Sequence, residues 1–230
     1  MNMEKKLPLK SQVFEQLKEK IVTCEYLPGA VLHEDMLCQQ FNVSRTPIRD
    51  ALGRLEQEGL VEIKSKKGFR ISDISISAIN SIYEMRSLIE PYAIENYARL
   101  LEDDVYADYV RLFSRPSDSF SGRELFELDG RFHRQFFEVA NNAYLQKFQM
   151  LIEDQNTRFR VLSARYGRLG DTQSEHLEIA SRCLRRDWSG AAGAMRHHIE
   201  MSKDAILKYI LSADCTPSEI LSQSQGGLEE

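Results

Sequence analysis

Apolar residues recur along this chain at two different spacings, and the spacing changes near residue 72. From Ser11 to Cys24, the side chains Val13, Phe14, Leu17, Ile21 and Val22 follow an i, i+3/i+4 rhythm. That rhythm predicts a helix with one buried face. Tyr26-Leu27-Pro28-Gly29 reads as a turn. Glu34 to Phe41 is a short second helix with Met36, Leu37 and Phe41 turned inward, and Asn42-Val43 turns the chain. Ser44 is a good N-cap for a third helix through Glu58, Pro47 is tolerated in its first turn, and Gly59 stops it. Leu60 to Ile63 and Phe69 to Ser72 then alternate as strands do, joined by Ser65-Lys66-Lys67-Gly68. The predicted order is helix, helix, helix, hairpin.

Beyond Asp73 the helical period dominates and glycine is sparse. Six helices are expected: Ser75–Leu100, Glu102–Ser114, Ser119–Ala140, Ala143–Arg168, Thr172–Arg186 and Ser189–Ala213. Thr172-Gln173-Ser174-Glu175 has the capping-box pattern and marks one start. Pro91 falls inside the first of these helices and should kink it. Thr216 to Glu230 is polar and rich in Gly, Ser, Gln and Glu, a composition expected to be disordered. The expected fold is mainly α. Residues 1–73 form a winged helix-turn-helix of three helices plus a β-hairpin, residues 74–215 an all-α six-helix bundle, and residues 216–230 a tail.

The bulk numbers narrow the function classes. With 230 residues, 42% hydrophobic and 28% charged, the chain suits a globular protein of one or two domains. It lacks the run of about 18 to 20 apolar residues that a membrane span needs, so no membrane partner is expected. The start, Met1 to Lys10, lacks the apolar stretch of a signal peptide. Cys24, Cys38, Cys183 and Cys215 are widely spaced, without a C-x-x-C pair. Neither a thiolate metal site nor a redox motif is indicated, and a reducing cytoplasm is the expected compartment. The net charge of −5 divides into +2 over residues 1–72 and −7 over the rest. A mildly basic head on an acidic body fits a DNA-binding module attached to something else.

The head's chemistry lies in Phe41-Asn42-Val43-Ser44-Arg45-Thr46-Pro47-Ile48-Arg49-Asp50-Ala51-Leu52. In a helix-turn-helix the first residues of the second helix enter the major groove. Arg45, Thr46 and Arg49 share an exposed edge there, while Ile48, Leu52 and Leu55 face the core. Arginine can bond a guanine edge bidentately, and threonine can reach a phosphate or a base. Lys66 and Lys67 at the hairpin tip would follow the phosphates, and Gly68 would let the backbone approach closely.

The second half offers histidines. Asp129 and His133 are four residues apart and share a face beside the stripe Leu125, Phe132, Phe136 and Ala140. A carboxylate and an imidazole facing a core require a partner, and a bound metal (Zn, Ni, Fe or Mn) is one candidate. His198 lies on an inward stripe with Ala191, Met195, Ala205 and Tyr209, whereas His197 aligns with solvent-facing positions. His176 stands one turn before Ala180. Arg86 shares a face with Ile79, Ile82, Tyr83, Ile89 and Ala93. A buried guanidinium needs an anion: an effector's carboxylate, or an internal acid such as Glu90.

Leu27-Pro28-Gly29, the run Val43 to Leu52, Leu55-Glu56-Gln57-Glu58-Gly59-Leu60-Val61 and Gly68 together resemble the GntR family winged helix, over nearly all of residues 8–72. The resemblance implies operator contacts by Arg45, Thr46, Arg49 and the Gly68 wing. Some members carry a phosphate-touching basic residue in the second helix, where this chain has Asp35 or Met36. Tyr83 to Pro91, Asp129-x-x-x-His133, Ala140-Asn141, Glu175-His176-Leu177 and Met195-Arg196-His197-His198-Ile199 resemble the FCD effector domain of the FadR subgroup, over about residues 75–213. That resemblance implies a divalent metal held by Asp129, His133, His176 and His198, and a small organic or sugar acid as effector. The expected protein is thus not an enzyme. It is a homodimeric transcription regulator that binds a palindromic double-stranded operator, its affinity controlled by the effector. Two alternatives stay open: a metal-dependent hydrolase-like enzyme with an accessory helix-turn-helix, and an architectural DNA-binding protein whose bundle only dimerises.

Overall fold

A computed structural model describes residues 8–64, 68–163 and 169–211. Lys66, Lys67, the tail from Thr216 and Cys215 therefore lie outside the described residues. The chain divides into two compact units. Among the described residues, the first gathers residues 8–75 and Thr157–Leu162, and the second gathers Ile76–Asn156 and the residues from Ser163 on.

In the first unit, α1 (Leu9–Val22), α2 (Glu34–Phe41) and α3 (Arg45–Gln57) follow the predicted order. Asn42 takes a left-handed conformation, φ 51°, which ends α2 and turns the chain into α3. Val13, Phe14, Leu17, Ile21, Leu37, Ile48, Leu52 and Leu55 interlock in one core with Leu60, Val61 and Ile71 of the hairpin.

The hairpin strands β2 (Val61–Lys64) and β3 (Gly68–Ile71) are joined by a third strand that periodicity did not reveal, β1 (Val31–Leu32). The sheet order is β1-β3-β2, with Val31 opposite Arg70 and Leu32 opposite Phe69. Two residues are too few to display an alternating pattern. This strand also changes the reading of Gly68. Its φ is +89°, and a Cβ there would stand 2.9 Å from the Leu32 carbonyl oxygen. The fold therefore requires glycine at this point whatever the hairpin touches.

The second unit holds α4 (Ile76–Tyr97), α5 (Asp103–Phe113), α6 (Gly122–Glu138), α7 (Ala143–Ser163) except for its residues Thr157–Leu162, α8 (Leu169–Leu184) and α9 (Trp188–Leu211). α9 runs along both α4 and α8, α5 lies on α8, and α4 meets α6. α4 continues through Pro91, which cannot donate the helical bond to Ser87. One cap reading changes. Thr172 lies inside α8, which already runs at Leu169. The capping box forms instead at Ser121 and Glu124, each side chain bonding the other's backbone N–H, and starts α6. Both segments carry the same S/T-x-x-E spacing, and the carboxylate of Glu175 has another partner.

Candidate functional site

At the start of α3, Arg45, Thr46 and Arg49 are all exposed, while Ile48 and Leu52 are buried beneath them. This is the division between surface edge and anchor that the spacing predicts. Both arginines have partners within the head. Arg45 donates from Nε (3.1 Å) and Nη2 (2.7 Å) to Oδ1 of Asp35, and Arg49 donates from Nε to both oxygens of Glu34 (2.9 and 3.0 Å). The two acids occupy the first turn of α2, where carboxylates are favoured by the helix dipole.

The bundle holds the second constellation. Burial selects the same residues that the helical stripes did: His133, His176 and His198 are 4%, 1% and 2% exposed and Asp129 7%, whereas His197 is exposed. On α6 the inward stripe runs through Leu128 rather than Leu125, with Asp129, Phe132, His133 and Phe136 beside it. One ligand atom from each of the three histidines lies within 4.8 Å of the others. Nε2 of His133 is 3.1 Å from Nε2 of His176, and that same His176 nitrogen is 3.6 Å from Oδ1 of Asp129. The rings of Phe113 and Phe132 flank His176, each with centroid separations of 5.1 Å.

Carboxylates behind the imidazoles orient them. His133 Nδ1 donates to Glu90 Oε2 at 2.6 Å, and His198 Nδ1 donates to Glu175 Oε2 at 2.8 Å. With Nδ1–H committed outward, the lone pair of each ring sits on Nε2, as in the carboxylate–histidine pairs that back metal ligands. Neither acid stood out as functional in the sequence. Glu175 had the spacing of a cap residue, and Glu90 figured only as a partner for Arg86.

Arg86 is 3% exposed and bonds Glu90 Oε1 from Nε at 2.6 Å. Its Nη1 donates to Asn156 Oδ1 at 3.0 Å, and the Tyr83 hydroxyl bonds the same oxygen at 3.0 Å. The internal acid is thus the anion that Arg86 meets in this structure. Burial alone would raise the Glu90 carboxyl, but Arg86 and His133 hold it well below the usual range. Burial above all, with the Arg86 charge nearby, pushes His198 well below its ordinary value and keeps it neutral. A neutral imidazole is the ligating form.

The donor set fits a divalent ion. Nitrogens about 2.1 Å from a common ion lie about 3.0 to 3.4 Å apart between right and tetrahedral angles, and the His133–His176 separation of 3.1 Å falls in that range. Imidazoles with one carboxylate suit Zn, Ni, Fe or Mn.

Two family models match: bacterial regulatory proteins of the gntR family over residues 9–71, and the FCD domain over residues 81–201. The Nta operon transcriptional regulator of Aminobacter aminovorans is 30% identical over 195 residues, covering 84% of this chain and 91% of that protein. The HTH-type transcriptional repressor RspR of Escherichia coli K12 is 26% identical over 210 residues, covering 86% and 89%. Among solved structures, E. coli McbR/YncC aligns with a TM-score of 0.74 at 15% identity, over 89% of this chain and all of that one. A GntR regulator from Rhodococcus sp. RHA1 aligns at 0.69 and 18%, over 86% and 97%. The chain belongs to the GntR family and carries an FCD domain, and is a DNA-binding transcription regulator. No described helix is long and apolar enough to cross a membrane.

Proposed function

We propose that this regulator binds its operator as a homodimer and that a small organic or sugar acid, held in a metal-containing bundle, sets the operator affinity. A single recognition helix reads few bases, so two-fold symmetry and a palindromic operator go together. Arg45, Thr46 and Arg49 read the major groove, with Lys66, Lys67 and Gly68 of the hairpin on the phosphates.

Asp129, His133, His176 and His198 hold a divalent metal, which supplies a cationic anchor for the acid. The observation that carries this reading is the convergence of three buried imidazoles, two of them backed by carboxylates. An internal hydrogen-bonded core would not need outward carboxylates to fix two lone pairs inward. Arg86 meets the acid's far end, either through guanidinium donors that Glu90 and Asn156 leave open or by exchanging Glu90 for the ligand. Binding regulates only insofar as the acid prefers one arrangement of the dimer's two heads, since equal affinity for both states shifts no equilibrium.

The metalloenzyme alternative lacks a supporting observation. Around the imidazoles the two added acids, Glu90 and Glu175, are committed to histidine Nδ1 atoms.

Elemental analysis of purified protein tests the metal. About one divalent ion per chain is expected, removable by chelator, lost in His198→Ala and kept in His197→Ala. Full metal in the His198 variant contradicts the ligand set.

A further inference from the structure

The arginines on α3 raise a question that the operator reading leaves open: why acidic side chains stand against them. Phosphate contacts draw their affinity from unneutralised cations, through counterion release. Arg45 and Asp35 together carry no net charge, and their side chains are 62% and 72% exposed. An exposed pair of this kind contributes little to the stability of the free head. An acid at this position also repels the DNA backbone. The helix dipole favours an acid in the first turn of α2, but it does not require that acid to pair with Arg45, and general DNA affinity does not account for the pairing.

The geometry of the pair suggests what it does. Both donors that Asp35 takes, Nε at 3.1 Å and Nη2 at 2.7 Å, lie on one side of the guanidinium and converge on a single oxygen. Arginine can present either that side or its Nη1–Nη2 end to an acceptor pair. With the side committed, the end remains, and two parallel donors there match the O6 and N7 acceptors of guanine. Holding the fork in one orientation removes rotamer freedom that would otherwise be lost on binding.

We propose that Asp35 is a specificity-determining, positioning residue for operator recognition: it pins Arg45 by one side, so that Arg45 acts as a guanine reader and not as a phosphate contact. This rests on the reading that the α3 edge faces the operator. Asp35 stays on Arg45 in the complex; it is not an anion that DNA displaces. The isosteric amide in Asp35→Asn keeps an acceptor but removes the charge that cancels that of Arg45.

The test uses the full-length chain. Duplexes are first selected from a random library by the wild-type protein. The recovered operator and its single-base-pair substitutions are then titrated with wild type, Asp35→Asn, Asp35→Ala, Arg45→Ala and the Arg45→Ala/Asp35→Asn double variant, across a salt series. Both Asp35 variants should bind non-specific duplex more tightly, with a salt slope steeper by about one. Their discrimination at one guanine position should fall, by roughly tenfold in Asp35→Ala, which has no acceptor, and by less in Asp35→Asn, which keeps one. In the Arg45→Ala background, Asp35→Asn should change discrimination no further. If the Asp35 variants gain affinity for all sequences and keep full discrimination, the acid is only an electrostatic brake and the proposal fails. It fails equally if they match wild type in both readouts. If Arg45→Ala itself leaves operator binding unchanged, the α3 reading is what fails.

Discussion

Glu90 is the point where the bundle's charges meet, so its replacement should have two separable effects. The carboxylate bonds Arg86 through one oxygen and His133 through the other, and the three side chains are buried. Glu90→Gln keeps the shape and removes the charge, leaving a buried guanidinium with neutral partners. Removing one member of a buried pair costs about 3 to 5 kcal/mol. For a chain of this length that corresponds to about 6 to 20 °C in melting temperature. The assay is thermal unfolding of the chelator-treated full-length chain. His133 also loses the acceptor that fixes its Nδ1–H, so metal affinity should fall about 10- to 100-fold. The double variant Arg86→Met/Glu90→Leu separates the two effects. It replaces the pair with apolar groups, which is often neutral or stabilising, and should recover most of the melting temperature. It should not recover metal affinity, because His133 still lacks its carboxylate. A Glu90→Gln protein that melts within about 2 °C of wild type shows that the buried charge is not needed for stability. A double variant with wild-type metal affinity shows that the carboxylate does not orient His133.

Glu175→Gln should weaken zinc about 10- to 100-fold in a chelator competition, because His198 loses its Nδ1 acceptor; undiminished affinity rules out that orienting role. Arg45→Ala or Arg49→Ala should lose about 1 to 3 kcal/mol of base discrimination, whereas Lys67→Ala should weaken all duplexes alike and flatten the salt dependence, as read by titration on matched and mismatched operators. The Glu90 carboxyl is held below its ordinary value of 4.5, so its contribution to stability is present above that pH and lost as pH falls towards the folded value. The stability difference between wild type and Glu90→Gln, measured without metal, should therefore shrink on acidification from pH 6 to pH 3, and a difference that stays constant contradicts the linkage.

Much of this molecule could be read from periodicity because apolar stripes and helix stops are local signals. Leu17, Ile48 and Leu52 pointed to the head's core, and Asp129, His133 and His198 fell on inward stripes that burial bears out. What stayed hidden depends on partners distant in sequence. β1 exists because Val31 and Leu32 pair with Arg70 and Phe69, and two residues hold no alternation of their own. Glu175 looked like a helix cap because its spacing from Thr172 is right, but its carboxylate serves His198, 23 residues away. Glu90 meets His133 across 43 residues, and Arg86 finds Asn156 across 70. The α2–α3 ion pairs were equally invisible, since Asp35 and Arg45 are brought together only by the turn at Asn42.

Operator titration in four states joins metal, effector and DNA in one experiment: metal-loaded and chelator-treated protein, each with and without the organic or sugar acid that gives the largest thermal shift in a screen. The acid should change the operator dissociation constant of the metal-loaded wild type by at least about fivefold, on the scale of ordinary allosteric coupling. Little change is expected in the chelator-treated protein or in Arg86→Ala. An acid that binds the bundle yet leaves operator affinity untouched, or shifts it equally without metal, rules out effector control through the metal.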